Sequence, residues 1–212
     1  MKDLVVLTPG KDDEFTLRGL FTRPQALDIR PVEARFLIHP ERDPGCYRRP
    51  QDVLRPLASQ YSHALVMFDR EGSGVERSGA APDMEREVEN LLGRNGWGGR
   101  VRCIVIEPEL EIWVWANSRQ VDECLGWANR QLSLRQWLEE NGWLQPNQIK
   151  PSRPKEAMQA AMREVGKQRS AAVFEALASR VSFQNCEDEA FGRLLSCLRG
   201  WFGPGPVASP PL

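Results

Sequence analysis

Apolar and polar positions come in blocks along the first half of this chain. DLVVLT (3–8) is stopped by Pro9-Gly10, and ARFLIH (34–39) by Pro40. HALVMFD (63–69) runs into a polar loop, and VRCIVI (101–106) runs into acids. Runs this short between turn residues predict strands, and their unbroken apolar character predicts a sheet covered on both faces. A helix is predicted from near Asp12, with Phe15, Leu17, Leu20 and Phe21 on its apolar face. Asp12, Asp13 and Glu14 fall in its first turn, where acids suit the helix dipole, and Pro24 ends it. ERDPGCYRRP (41–50) reads as a turn-rich loop before a helix over 50–59. REGSGVERSGAAP (70–82) reads as a long mobile loop, and Asp83 as the N-cap of a helix to about Arg94, closed by Asn95-Gly96. Strand and helix thus alternate, which predicts an α/β fold. Its core is a Rossmann-like parallel sheet of about four strands flanked by helices.

The second half loses the strand pattern. Glu109–Asn117 reads as the start of a helix with Trp113 buried, and Gln120–Gln131 continues helically. Ser133-Leu134-Arg135-Gln136 is a capping box opening a helix that stops at Asn141-Gly142. A linker-like QPNQIKPSRP (145–154) precedes helices over about 154–165, 170–180 and 188–202. The tail GPGPVASPPL is Pro/Gly-rich and predicted to be disordered. The expected division is an α/β domain over 1–116, a helical part packed on it over 117–203, and a tail over 204–212.

The totals narrow the function classes. A net charge of −1 over 212 residues leaves no global basic field, so any nucleic-acid contact must come from a local patch. One such patch is a run from Lys150 to Arg180 containing Lys150, Arg153, Lys155, Arg163, Lys167, Arg169 and Arg180 against Glu156, Glu164 and Glu175. Its alternatives are phosphate binding and a solvated helix face. Five scattered cysteines without a CxxC pair exclude a zinc ribbon and a disulfide framework and point to a reducing compartment. The N-terminal residues lack the shape of a signal peptide, and no apolar run is long enough to span a bilayer. A cytoplasmic protein without a membrane partner is expected. The seven tryptophans, all between Trp97 and Trp201, read as core anchors of a helical layer, with a partner surface as the alternative. His39 and His63 lack metal-ligand spacing and read as structural. Gly72-Ser73-Gly74 lacks the lysine and helix of a phosphate loop.

Candidate chemistry gathers where the strands end, because parallel sheets bind ligands beyond their carboxyl edge. Asp69 and Glu71 are spaced i, i+2, which on an extended strand points both the same way. Carboxylates of this kind hold hard cations such as magnesium, and Glu109 and Glu111 are placed to join them.

Four stretches resemble, in order, a group of TOPRIM-like bacterial proteins found in phage-defence gene clusters. They are LVVLTPGKDDEFTLRGLF, VMFDREG, EPELEIWVWA and PSRPKEAM…GKQRSAAVFEALA, and the likeness spans roughly residues 3–202. TOPRIM is the compact parallel α/β fold of topoisomerases, bacterial primases and the overcoming-lysogenization-defect nucleases. The family pattern is a strand, Glu-Gly-Lys, then Asp-x-Asp after a later strand, then Glu-x-Trp. Gly10 and Lys11 match the first motif and Asp69 the second, with Glu71 in place of its second Asp. Glu111 and Trp113 match the third, and Lys155 and Lys167 resemble basic positions of the helical part. The resemblance implies a Mg2+ site on Asp69, Glu71 and Glu111, supported by Glu109, with Asp69, Glu71 and Glu111 catalytic. It implies phosphate contacts from Lys11, Lys155 and Lys167, DNA as the nucleic acid, and other proteins of a defence gene cluster as partners. One departure matters: Pro9 stands where the pattern has its glutamate. Proline can neither ionise nor donate a hydrogen bond, and losing a general acid/base costs on the order of 10²–10⁴ in rate. Asp12, Asp13 and Glu14 are substitutes that would reach from a different direction. Two classes of function follow: a magnesium-dependent nuclease-like enzyme of anti-phage defence, or a catalytically degenerate subunit that binds nucleic acid or partner proteins. A nucleotide-binding domain trails them, lacking a glycine-rich fingerprint.

Overall fold

The structure, a computed structural model, describes residues 1–75, 79–184 and 186–204. Strands β1 (Lys2–Thr8), β2 (Ala34–Ile38), β3 (Tyr61–Asp69) and β4 (Val101–Ile106) form one sheet in the order β2-β1-β3-β4. All three pairings are parallel. Alternation along each strand divides the apolar residues between two cores. Leu4, Val6, Leu65, Met67, Ile104 and Ile106 face one core, while Val5, Leu7, Val66, Phe68, Cys103 and Val105 face the other.

Ten α-helices in the described residues cover these faces. On the first face lies α1 (Lys11–Phe21), followed by the short α2 (Pro24–Leu27). The second face is covered by α3 (Arg42–Arg48), α4 (Pro50–Leu54) and α5 (Ala81–Leu92), through Cys46, Leu54, Met84, Val88 and Leu92. The remaining helices are α6 (Arg119–Leu125), α7 (Leu134–Glu140), α8 (Pro154–Glu164), α9 (Ala171–Arg180) and α10 (Glu189–Phe202). All five bury side chains in the first core, so the segment expected as a helical part shares its interior with the sheet. The contact between α1 and α9 is very close: a Cβ on Gly19 would stand 2.5 Å from the Glu175 carbonyl oxygen. Only a glycine permits that approach.

Several expectations need correction. The loop expected at 41–50 contains α3, because Pro44 falls in the first turn, where its missing N–H costs nothing. The helix expected over 50–59 is α4 followed by a 3-10 turn, Arg55–Leu57. Asp83 is not the N-cap of α5. Ala80 is, and the Asp83 carboxylate accepts its N–H at 3.3 Å from the third helical position. The helix expected from Glu109 is a short 3-10 turn, Leu110–Trp113, with Trp113 half-buried. α6 stops at Leu125 because Gly126 takes a left-handed turn, φ 90°. The predicted ends of α8, α9 and α10 agree within a residue or two. Residues 76–78 of the loop expected to be mobile, and residues 205–212 of the expected tail, lie outside the described residues. No helix among the described residues is long and apolar enough to cross a membrane.

β4 is an edge strand whose outward groups are covered by side chains. Glu85 accepts the Val105 N–H at 2.9 Å, and Glu89 accepts the Cys103 N–H at 3.0 Å. Arg193 of α10 pairs with Glu85 at 3.0 Å, tying the last helix to that edge.

Candidate functional site

Each strand delivers an acid to the same edge. β1 leads through Pro9-Gly10 into α1, whose first turn carries Asp12 and Asp13. β2 leads through His39 into α3, whose first turn carries Asp43. β3 ends on Asp69, and β4 leads to the 3-10 turn that carries Glu111. Asp43 ties two of these together, because its Oδ1 accepts the Asp69 backbone N–H at 3.0 Å. Asp13 is 6% exposed and Glu111 is 1% exposed. Asp13 Oδ1 and Asp69 Oδ1 are buried without a hydrogen-bond partner. An orphaned buried carboxylate oxygen is costly, so a pair of them in one place requires an explanation.

The electrostatics follow from this crowding. Burial pushes Asp69 well above the ordinary carboxylate range, and the charges of Asp13, Asp43 and Glu111 add to it. Burial does the same to Asp13, with Asp43 the strongest of its acidic neighbours. Asp43 is also raised by burial, against the opposing pull of the Asp69 N–H, Lys155 and Arg42. Glu111 is raised by burial, with Arg169 and Lys155 opposing.

Two basic side chains from the helical half face these acids. Arg169 Nη2 lies 2.5 Å from Glu111 Oε1 and 2.6 Å from Asp12 Oδ2. Lys155 Nζ lies 3.1 Å from Glu109 Oε2, and the Lys155 backbone N–H donates to Glu109 Oε1 at 3.0 Å. Burial works against the Lys155 charge, but Glu111, Glu109 and Asp69 outweigh it and hold the ammonium above its ordinary value. The three alternating acids after β4 therefore take different partners. Glu107 pairs with Arg70, Glu109 caps α8, and Glu111 meets Arg169.

Of the residues predicted for the site, Asp69, Glu111 and Lys155 come together here. Glu109 is beside them, held by the start of α8. Glu71 is not brought in: β3 ends at Asp69, the chain turns with Ser73 N–H bonding the Arg70 carbonyl at 3.2 Å, and Glu71 is exposed. The two-residue period holds only while the strand continues. Lys11 is exposed at the first residue of α1. Lys167 lies over Gly126, the residue that ends α6. Sequence reasoning missed Asp43 as a site residue because its segment read as loop, and named Asp13 only as one substitute for Pro9. His39 is structural: its Nδ1 accepts the Glu41 N–H at 3.1 Å. Trp113 donates to Asp188 Oδ1, the cap of α10, at 2.9 Å, which locks the 3-10 turn to the last helix. A cavity of about 1010 Å³ lies beyond that turn, lined by Trp113, Trp115, Phe174, Phe183 and Phe191, and none of the four clustered acids reaches it.

Carboxylate oxygens are the kind of ligand a hard divalent cation takes, and those on Asp13 and Asp69 include two buried ones without a hydrogen-bond partner. As they stand, no three His, Cys, Asp or Glu groups among the described residues are drawn together tightly enough to share a metal ion. Like charges without a counter-ion repel, so coordination would have to close the cluster. No protein-family model, curated protein or solved structure matches this chain.

Proposed function

We propose that this chain is a divalent-cation-dependent, nuclease-like domain acting on phosphodiesters, a cytoplasmic component of bacterial anti-phage defence on a TOPRIM-like scaffold. The observation that carries the chemistry is the pair of buried, unpartnered oxygens on Asp13 and Asp69 at the carboxyl edge of the sheet. The defence setting and DNA as substrate come from the resemblance alone. Asp69 is the centre of the cation site, with Asp13, Asp43 and Glu111 around it. Magnesium bound there would polarise a phosphoryl oxygen and lower the pKa of a bound water. Lys155 and Arg169 supply the positive charge that a nucleic-acid phosphate needs beside the acids. Asp13 takes up the work that Pro9 cannot do. The test is magnesium- and manganese-dependent cleavage of plasmid and single-stranded DNA. Wild type cleaves and Asp69→Ala does not; cleavage unaffected by Asp69→Ala and Glu111→Ala would sink the assignment.

A second reading has its own support. Glu109 and Glu111 are already neutralised by Lys155 and Arg169, and Pro9 replaces the acid of the pattern. In that reading the chain is a binding subunit of a defence complex. It predicts no turnover, no cation uptake, and complexes with neighbouring gene products that survive Asp69→Ala.

A further inference from the structure

We propose that the cavity beyond the Leu110–Trp113 turn binds a flat aromatic molecule carrying one anionic group, and that Lys150 takes the charge. The site is independent of the phosphodiester reading, because none of the four clustered acids lines this space.

The walls determine the body of the ligand. They come from α1, the stretch after β4, the segment before α8, α9 and the start of α10. At about 1010 Å³ the cavity is the size of the larger pockets that hold small molecules, which run to about 1,000 Å³. Trp113, Trp115, Phe174, Phe183 and Phe191 line it. The polar atoms of both indoles are engaged elsewhere. Trp113 Nε1 donates to Asp188 at 2.9 Å, and Trp115 Nε1 donates to the Pro154 carbonyl at 3.1 Å. What these rings offer the cavity is therefore carbon. Trp113 meets Phe191 edge to face, with centroids 5.2 Å apart and planes at 80°. Phe183 is tilted against Phe191 at 5.4 Å. Rings held at such angles accept a further flat ring by offset stacking and edge contacts.

Charge determines the rest of the ligand. Lys150 is half-buried in the lining, and among the described residues no carboxylate lies within ion-pair distance of its ammonium. Ile149 beside it is 70% exposed, an apolar side chain left uncovered in the same lining. The other charged lining residues do not offset Lys150. Arg119 stands out in water and pairs with Glu123 of its own helix at 3.1 Å. Asp188 is taken by Trp113 and by the Phe191 N–H at 2.9 Å. Glu187 is exposed to water. One unpaired positive charge thus stands beside an aromatic body site, and it favours an anion over a neutral or cationic molecule of the same shape.

Two dyes with the same rings test this by fluorescence titration of the full chain. Anilinonaphthalenesulfonate carries the anion, and phenylnaphthylamine is its uncharged counterpart. Wild type should bind one equivalent of the sulfonate, with energy transfer from the tryptophans in the wall. Lys150→Gln should weaken the sulfonate about tenfold and leave the uncharged dye within about twofold, as expected for losing one charged hydrogen-bond partner. Arg119→Gln should change the sulfonate less than about twofold, because that side chain is exposed and already paired. Ser182→Trp, which adds bulk to the lining, should weaken both dyes about tenfold or more. If Ser182→Trp does not fold, Ala116→Phe, also in the lining, is read in its place. Sulfonate affinity unchanged in Lys150→Gln overturns the proposal, as does an equal loss in Arg119→Gln. Binding that survives the added bulk places the dye elsewhere on the surface and overturns it too. Wild type that binds neither dye does the same, and none of these outcomes depends on cleavage at the acidic edge.

Discussion

Asp3 and Asp69 are the same side chain at opposite ends of neighbouring strands, and the fold treats them in opposite ways. Both Asp3 oxygens are taken by Arg30, at 2.9 and 2.7 Å, and Oδ2 also accepts the Glu33 N–H at 3.0 Å. The Arg30 hydrogen bond is the main reason that the Asp3 carboxyl is lowered to about 2. Asp69 is half-buried among acids, its Oδ1 is buried and unpartnered, and its carboxyl is pushed up. The amino end of the sheet is satisfied, and the carboxyl end keeps acids with buried, unpartnered oxygens. A fold that ties off one end and leaves the other costly is spending stability at a place where binding can recover it.

The largest effect that would break this contrast is at Asp69. Asp69→Asn removes a buried charge without a partner, so metal-free stability should rise by about 1–3 kcal/mol in urea unfolding. Cation-dependent cleavage by the same variant should fall on the order of 10³-fold, the equivalent of several kcal/mol of transition-state stabilisation. Stability and activity moving in opposite directions is the signature of a functional acid. A variant that loses stability would show instead that Asp69 is structural.

Much of this was legible in the chain and some was not, for physical reasons. The strands were readable because a sheet covered on both faces demands unbroken apolar runs, as in Leu4–Leu7 and Ala64–Phe68. Helices α8 to α10 were readable from spacing such as Leu194, Leu198 and Trp201. The segment after β4 was not, because Glu109, Glu111 and Trp113 are each held by a distant partner, in α8, before α9 and before α10. Those contacts override local helix preference, and no local pattern records them. The site was half legible for a similar reason. Asp69 ends β3 and Glu111 lies in the turn that follows β4, where acids after an apolar run can be recognised. Asp13 and Asp43 sit in first helical turns, where acids are common for dipole reasons alone.

A smaller effect sharpens the other end of the comparison. Asp3→Asn should lower stability by about 0.5–1 kcal/mol, since Arg30 is half-exposed and solvent screens the pair. Mn2+ affinity and cleavage should be unchanged. The pH dependence has a definite sign. The folded carboxyl is lowered from 3.8 to about 2, so its contribution is fully present above pH 3.8 and is lost as pH falls toward 2. Wild type and Asp3→Asn should therefore differ at pH 5 and converge near pH 2, as read by denaturant midpoints. A constant gap across that window would mean that the pair contributes through packing rather than charge.

The smallest expected effect is at Glu71, and its smallness is informative. The resemblance makes Glu71 a magnesium ligand two residues beyond Asp69, but the strand ends at Asp69 and Glu71 is exposed on the turn. Glu71→Gln should leave stability within about 0.5 kcal/mol, as for other surface substitutions. Its Mn2+ affinity should stay within about twofold of wild type, a change of roughly 0.4 kcal/mol. A tenfold loss would mean that the turn at Arg70–Ser73 refolds around the ion and carries Glu71 inward. The acidic edge would then be assembled by the cation itself. Equal binding leaves Glu71 outside the acidic edge, where the end of β3 at Asp69 places it.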